Sequence, residues 1–98
     1  MNTIKKLIES RKATAAVIGL GYVGLPLAME MLRAGFNVIG IDLDRKKIAA
    51  LKEGKSYIRD VDDQIISEAI GSERFFPTSD FSTLAKADSV SICVPTPL

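Results

Sequence analysis

The ten residues Ala15–Gly24 (AAVIGLGYVG) constrain this chain more than any other stretch. Ala15 to Ile18 is a short apolar run with β-branched residues. Gly19, Gly21 and Gly24 follow in Gly-x-Gly-x-x-Gly spacing, ahead of a helical pattern. Such an order describes a strand that enters a helix through a glycine turn. Gly19 permits the tight turn, Gly21 lets backbone approach a pyrophosphate, and Gly24 lets helix and strand pack closely. The helix end, with its unpaired N–H groups and positive dipole end, makes an anion site without a basic side chain.

Glycine spacing by itself fits a plain strand-to-helix turn equally well. Asp42 decides between the readings. It lies eighteen residues beyond Gly24, at the end of a second apolar run, Asn37–Asp42 (NVIGID). A dinucleotide fold places there the acid that holds the adenosine ribose hydroxyls. A carboxylate accepts hydrogen bonds from a free 2′-hydroxyl but repels a 2′-phosphate, so the expected cofactor is NAD and not NADP.

The 98 residues allow one small domain, expected over residues 1–98. A hydrophobic share of 47% and a charged share of 26% suit an ordinary soluble globular chain. No run is long enough for a membrane span, and Met1–Lys6 does not read as a signal peptide, so the expected compartment is the cytoplasm. Thirteen basic and twelve acidic residues offer no electrostatic case for nucleic acid or a membrane surface. One cysteine and no histidine leave neither a disulfide framework nor a metal cluster.

Taken in order, a short N-terminal helix is expected over about residues 3–10, with Lys5, Lys6, Arg11 and Lys12 on a solvated face. A helix from about Val23 to Arg33 follows the glycine turn and ends at Gly35; Pro26 sits harmlessly in its first turn. Asp44 to Glu53 reads as a second crossover helix ending at Gly54. Arg45, Lys46 and Lys47 fall in its first turn, at the adenosine end. A reach to the ribose and simple solvation are equally consistent with that spacing. Lys55 to Asp63 reads as an exposed loop, and Asp62 as the cap of a helix from Asp63 to Ile70, closed by Gly71. Phe75–Ser79 is a short third strand, placed near an edge because Pro77 cannot donate to a ladder. Asp80 caps a single helical turn, and Ser89–Val94 is the fourth strand.

The element order, with crossover-length connections, predicts a Rossmann-like doubly wound α/β fold, a parallel sheet in the order 3-2-1-4 that stops after its fourth strand. The last strand then lies beside the first, and its C-terminal loop, Pro95–Leu98, falls at the topological switch point. Thr96 is therefore a second cofactor candidate, against the alternative of a proline-stiffened surface turn. Cys93 lies inside an apolar strand of a chain without histidine, and is read as a buried, inert thiol.

Three stretches, Val17–Ala28 (VIGLGYVGLPLA), Val38–Asp42 (VIGID) and Ile92–Leu98 (ICVPTPL), resemble the N-terminal domain of the UDP-glucose/GDP-mannose dehydrogenase family. The resemblance runs over nearly all of the chain. The loop Gly54–Val61 (GKSYIRDV) looks most like the branch that oxidises UDP-N-acetylglucosamine and related UDP-N-acetylhexosamines. The resemblance implies NAD bound through the backbone of Gly19, Leu20, Gly21, Tyr22, Val23 and Gly24. Tyr22 and Val23 would line the pyrophosphate, Asp42 would hold the ribose with Lys47 nearby, and Val94, Pro95 and Thr96 would contact the nicotinamide half. Family members oxidise a sugar-nucleotide primary alcohol twice, to the carboxylate, with two NAD. Their catalytic residues match later segments, so no catalytic or metal-binding residue is expected here, and Cys93 matches a strand and not the catalytic loop. The resemblance further implies a UDP-sugar as the substrate of the longer enzyme, and a homo-oligomer. Two other readings of the glycine fingerprint are a regulatory module that senses NAD(H) and the corresponding domain of another NAD-dependent dehydrogenase.

Overall fold

The computed structural model describes residues 13–93; the expected N-terminal helix and Val94, Pro95 and Thr96 lie outside the described residues. The chain runs β1 Thr14–Ile18, α1 Gly24–Arg33, β2 Asn37–Ile41, α2 Arg45–Lys52, α3 Asp63–Gly71, β3 Phe75–Thr78, a 3-10 helix Phe81–Lys86 and β4 Ser89–Ile92. All three strand pairings are parallel, and the sheet order is β3-β2-β1-β4. β3 does lie at an edge, with Pro77 beside Gly40.

Parallel strands are buried on both faces and therefore read as continuous apolar runs. The register puts Ala16, Ile39, Phe76 and Val90 side by side on one face, with Ile18, Ile41 and Ile92 behind them. The other face carries Val17, Val38 and Phe75. That face packs against all three α-helices in one cluster with Leu20, Leu25, Ala28, Met29, Ile48, Leu51, Ile66 and Ala69. Each fully buried leucine or isoleucine here contributes about 1.5–3 kcal/mol relative to exposure. The periodicity of α1 sets Leu27, Ala28, Met31 and Leu32 on one side; of these Ala28 is buried and the other three are half-buried, while Leu25 and Met29 are the further buried side chains of the helix.

Helix ends follow local chemistry with two exceptions. Gly35 and Gly54 both take positive φ after α1 and α2, and the Asp44 and Asp80 carboxylates accept from Lys46 N–H and Ser82 N–H as N-caps. Asp62 stands at the N-cap of α3 but its side chain makes no capping bond; its neighbour Asp63 instead accepts from Ser56 N–H at 2.8 Å. Gly71 is the last residue of α3, and the left-handed position is Glu73. Arg74 adds a cap invisible to local pattern, donating to the carbonyls of Leu32 and Phe36 at the end of α1.

The segment after α2 departs from the expected exposed loop. Ile58 and Val61 are buried in the helix-side core, and Tyr57 is half-buried against it. Strand β4 ends at Ile92, so Cys93, expected within it, lies just beyond it and is half-buried rather than buried.

The second sheet face is thinly covered. Leu84 of the 3-10 helix and Ala87 just after it pack on Ala16, Ile39 and Ile41, while Phe76, Val90 and Ile92 remain 50%, 49% and 68% exposed. Among the described residues β4 pairs only with β1. An apolar face that runs to a free strand edge favours pairing between copies. Sedimentation of this chain at rising concentration is expected to show self-association, which Ile92→Lys should suppress. A monodisperse wild-type monomer throughout would contradict this.

Candidate functional site

The glycine turn sits at the C-terminal end of β1, between β2 and β4. Gly19 adopts φ +93° and its N–H donates to Ile41 O at 2.7 Å, closing the turn onto β2. A Cβ at Gly19 would stand 1.9 Å from the Cys93 carbonyl oxygen, and one at Gly24 would stand 1.6 Å from the Gly19 carbonyl oxygen. These two glycines let three pieces of backbone touch. Gly21 differs, since a Cβ there meets nothing within 4 Å. The hollow beside it is open, and Tyr22 and Val23 on its rim are 81% and 68% exposed. No acidic residue lies in the first turn of α1, so the positive end of the helix dipole faces this hollow uncancelled from within the turn.

Asp42 is aimed at the turn. One carboxylate oxygen accepts from Leu20 N–H at 2.8 Å and the other from Asp44 N–H at 2.8 Å. A carboxylate has about four acceptor positions, so each oxygen keeps capacity for a hydroxyl donor. The backbone of Asp42 is clamped in turn by β3, with its N–H donating to Thr78 O at 3.1 Å and its carbonyl accepting from Ser79 Oγ at 2.8 Å.

Tyr57 joins this group, although its place in a polar loop gave no hint of it. Its hydroxyl donates to Leu20 O at 2.6 Å, and the Lys47 ammonium lies 5.6 Å from its ring centroid. Lys47 is half-buried on that ring, whereas Arg45 and Lys46 are exposed. A tyrosine whose ring is partly buried seeks a partner for its hydroxyl, and here it finds the Leu20 carbonyl. Burial first, and then the Asp42 and Asp44 carboxylates, push the Tyr57 hydroxyl well above its ordinary value near 10.

A raised folded-state value means that the unfolded chain loses this proton first. The stability is present below about pH 10 and declines as pH rises further. Urea midpoints between about pH 8 and 11 should fall more steeply for wild type than for Tyr57→Phe, in which the hydroxyl is gone. Parallel curves would show that Tyr57 does not titrate in this way.

The described residues thus bring together Gly19, Leu20, Gly21, Tyr22, Val23, Gly24, Asp42 and Lys47 at one end of the sheet. Among them, no group of three or more His, Cys, Asp or Glu side chains could hold a metal ion.

Residues 13–98 match the model of the UDP-glucose/GDP-mannose dehydrogenase family, NAD binding domain. The chain is 41% identical over 83 residues to the UDP-N-acetyl-D-glucosamine 6-dehydrogenase of Pseudomonas aeruginosa, covering 85% of this chain and 19% of that protein. It is 40% identical over 83 residues to the UDP-N-acetyl-D-mannosamine dehydrogenase of Methanococcus vannielii, covering 83% of this chain and 18% of that protein. Among solved structures, the UDP-D-ManNAc dehydrogenase of Pyrococcus horikoshii superposes with a TM-score of 0.79 at 31% identity, over 87% of this chain and 21% of that one. The chain therefore spans about a fifth of the length of these relatives. With a parallel 3-2-1-4 sheet, an open glycine turn and an acid facing it, the chain belongs to the UDP-glucose/GDP-mannose dehydrogenase family and carries its NAD-binding domain.

Proposed function

We propose that this domain, residues 1–98, holds NAD for a cytoplasmic, homo-oligomeric enzyme that oxidises the primary alcohol of a UDP-N-acetylhexosamine to the carboxylate. Oxidation of an alcohol to an acid removes two hydrides, and bound NAD supplies the acceptor for one at a time. The domain itself contributes binding and orientation, and catalytic side chains come from elsewhere in the longer enzyme. The backbone from Gly19 to Gly24 takes the pyrophosphate, with Tyr22 and Val23 along it. Asp42 takes the adenosine ribose hydroxyls, with Lys47 beside it, and Val94, Pro95 and Thr96 are the residues assigned to the nicotinamide half. Relatives at 41% and 40% identity that carry UDP-N-acetylhexosamine dehydrogenase names support the substrate class.

The observation that carries the reading is the Asp42 carboxylate, held 2.8 Å from the backbone of the glycine turn with acceptor capacity to spare. Calorimetric titration tests it. NAD should bind wild type at least about tenfold more tightly than NADP, a difference of about 1.4 kcal/mol. Asp42→Asn should narrow that gap by weakening NAD, because a hydrogen bond to a charged acceptor contributes about 1.5–3 kcal/mol. Equal or reversed preference in wild type would defeat the assignment.

A further inference from the structure

We propose that Tyr57 is a positioning residue for the dinucleotide: through Leu20 it fixes the direction of the peptide that leads into Gly21. The proposal rests on the assignment of the glycine turn to the pyrophosphate.

Leu20 is the residue between the first two glycines, and its side chain is fully buried. Both of its backbone polar groups are held by side chains from outside the turn. Asp42 accepts from its N–H, and the Tyr57 hydroxyl donates to its carbonyl. In a trans peptide the C=O and the following N–H point in opposite directions. Holding Leu20 O toward Tyr57 therefore turns the Gly21 N–H to the opposite side.

That peptide needs a restraint. It flips by coupled rotation about ψ of Leu20 and φ of Gly21, and glycine opposes neither sense of φ. The position has no side chain, and a Cβ there would meet nothing within 4 Å, so on that side no packing opposes the flip; the Gly21 carbonyl, which accepts from Leu25 N–H at 3.1 Å, belongs to the next peptide. The absence of a side chain that opens the hollow also leaves its floor free to turn over. The tyrosine hydrogen bond supplies the missing hold.

Tyr57 is built for this. Ser56 N–H donates to Asp63 Oδ1 at 2.8 Å, and Ser56 Oγ both donates to Ile58 O at 2.9 Å and accepts from Ile58 N–H at 3.0 Å. Ile58 anchors the loop in the core, and Lys47 covers the ring. Burial and the two nearby carboxylates keep the hydroxyl a donor.

The test compares ADP, which carries the diphosphate, with adenosine, which does not, by NMR-detected titration of the 98-residue chain. Tyr57→Phe keeps the ring and its packing. It should weaken ADP about tenfold, leave adenosine unchanged, and broaden or double the Gly21 amide resonance, which should be single in wild type. Ser56→Ala, which loosens the loop without touching ring or hydroxyl, should act in the same selective way with a smaller factor. Unchanged ADP affinity in both variants would overturn the proposal. Equal weakening of ADP and adenosine would also overturn it, by making the tyrosine a general packing residue. Asp42→Asn separates the underlying assignment, because it should weaken adenosine as well. If it does not, the ribose role of Asp42 fails while the selective loss in Tyr57→Phe stands.

Discussion

Gly24→Ala is expected to cost about 3 kcal/mol or more of folding stability, the reverse of what helix propensity alone dictates. Alanine in place of glycine in a helix ordinarily gains about 1 kcal/mol. Here the new Cβ would lie 1.6 Å from the Gly19 carbonyl oxygen, so α1 must withdraw from β1 or the turn must deform. Neither can move freely, because the Gly19 N–H is bonded to Ile41 O and a Cβ at Gly24 would also lie 3.4 Å from the Cys93 Cβ. Overpacking of backbone against backbone costs more than the 1–3 kcal/mol typical of side-chain overpacking. A domain of this size has about 5–15 kcal/mol in total, and its melting temperature drops by about 4–8 °C for each kcal/mol lost. Thermal melting followed by circular dichroism should therefore show a fall of about 12 °C or more. A rise would mean that the close approach at Gly24 is not obligatory.

Gly21→Ala should instead spare the fold and impair binding. Its φ is not positive and the space around it is open, so alanine fits the folded backbone and lowers the entropy of the unfolded chain. Stability should change by less than about 1 kcal/mol. The added methyl, however, stands in the hollow where a pyrophosphate must come against the backbone. NAD affinity should fall about 100-fold, about 2.7 kcal/mol, by calorimetry on a chain whose melting is normal. Unchanged affinity would place the diphosphate elsewhere. The pair of variants separates the two uses of glycine in one six-residue turn.

Much of this fold was legible because its determinants are local. Apolar runs such as Ala15–Ile18 and Asn37–Ile41 announce parallel strands, Gly35 and Gly54 end helices through positive φ, and Asp80 caps through the next turn of backbone. The strand order followed from crossover lengths and handedness. The Gly19–Gly24 and Asp42 part of the site was legible for the same reason, since one βαβ unit supplies all of it.

What stayed hidden depends on contacts distant in sequence. The Tyr57 bond to Leu20 spans 37 residues, and the Arg74 cap on Leu32 spans 42; no periodicity encodes either. The loop Lys55 to Asp63 looked exposed because it is polar, with Tyr57 and Ile58 as its only large apolar residues. Yet Ile58 and Val61 alone, spaced by one tight turn, are enough to pin it to the core. At α3 Asp62 takes the cap position but its side chain makes no capping bond, while its neighbour Asp63 accepts from Ser56 N–H, seven residues earlier. Glu73 bears the left-handed turn that a glycine two residues earlier advertised.

The contact between Gly19 and Cys93 has a mechanical consequence. Cys93 N–H donates to Ile18 O at 2.7 Å, and its carbonyl lies where any Cβ on Gly19 would be. The tip of β4 and the bend after β1 are thereby coupled like meshed gear teeth. A displacement of one therefore bears directly on the other.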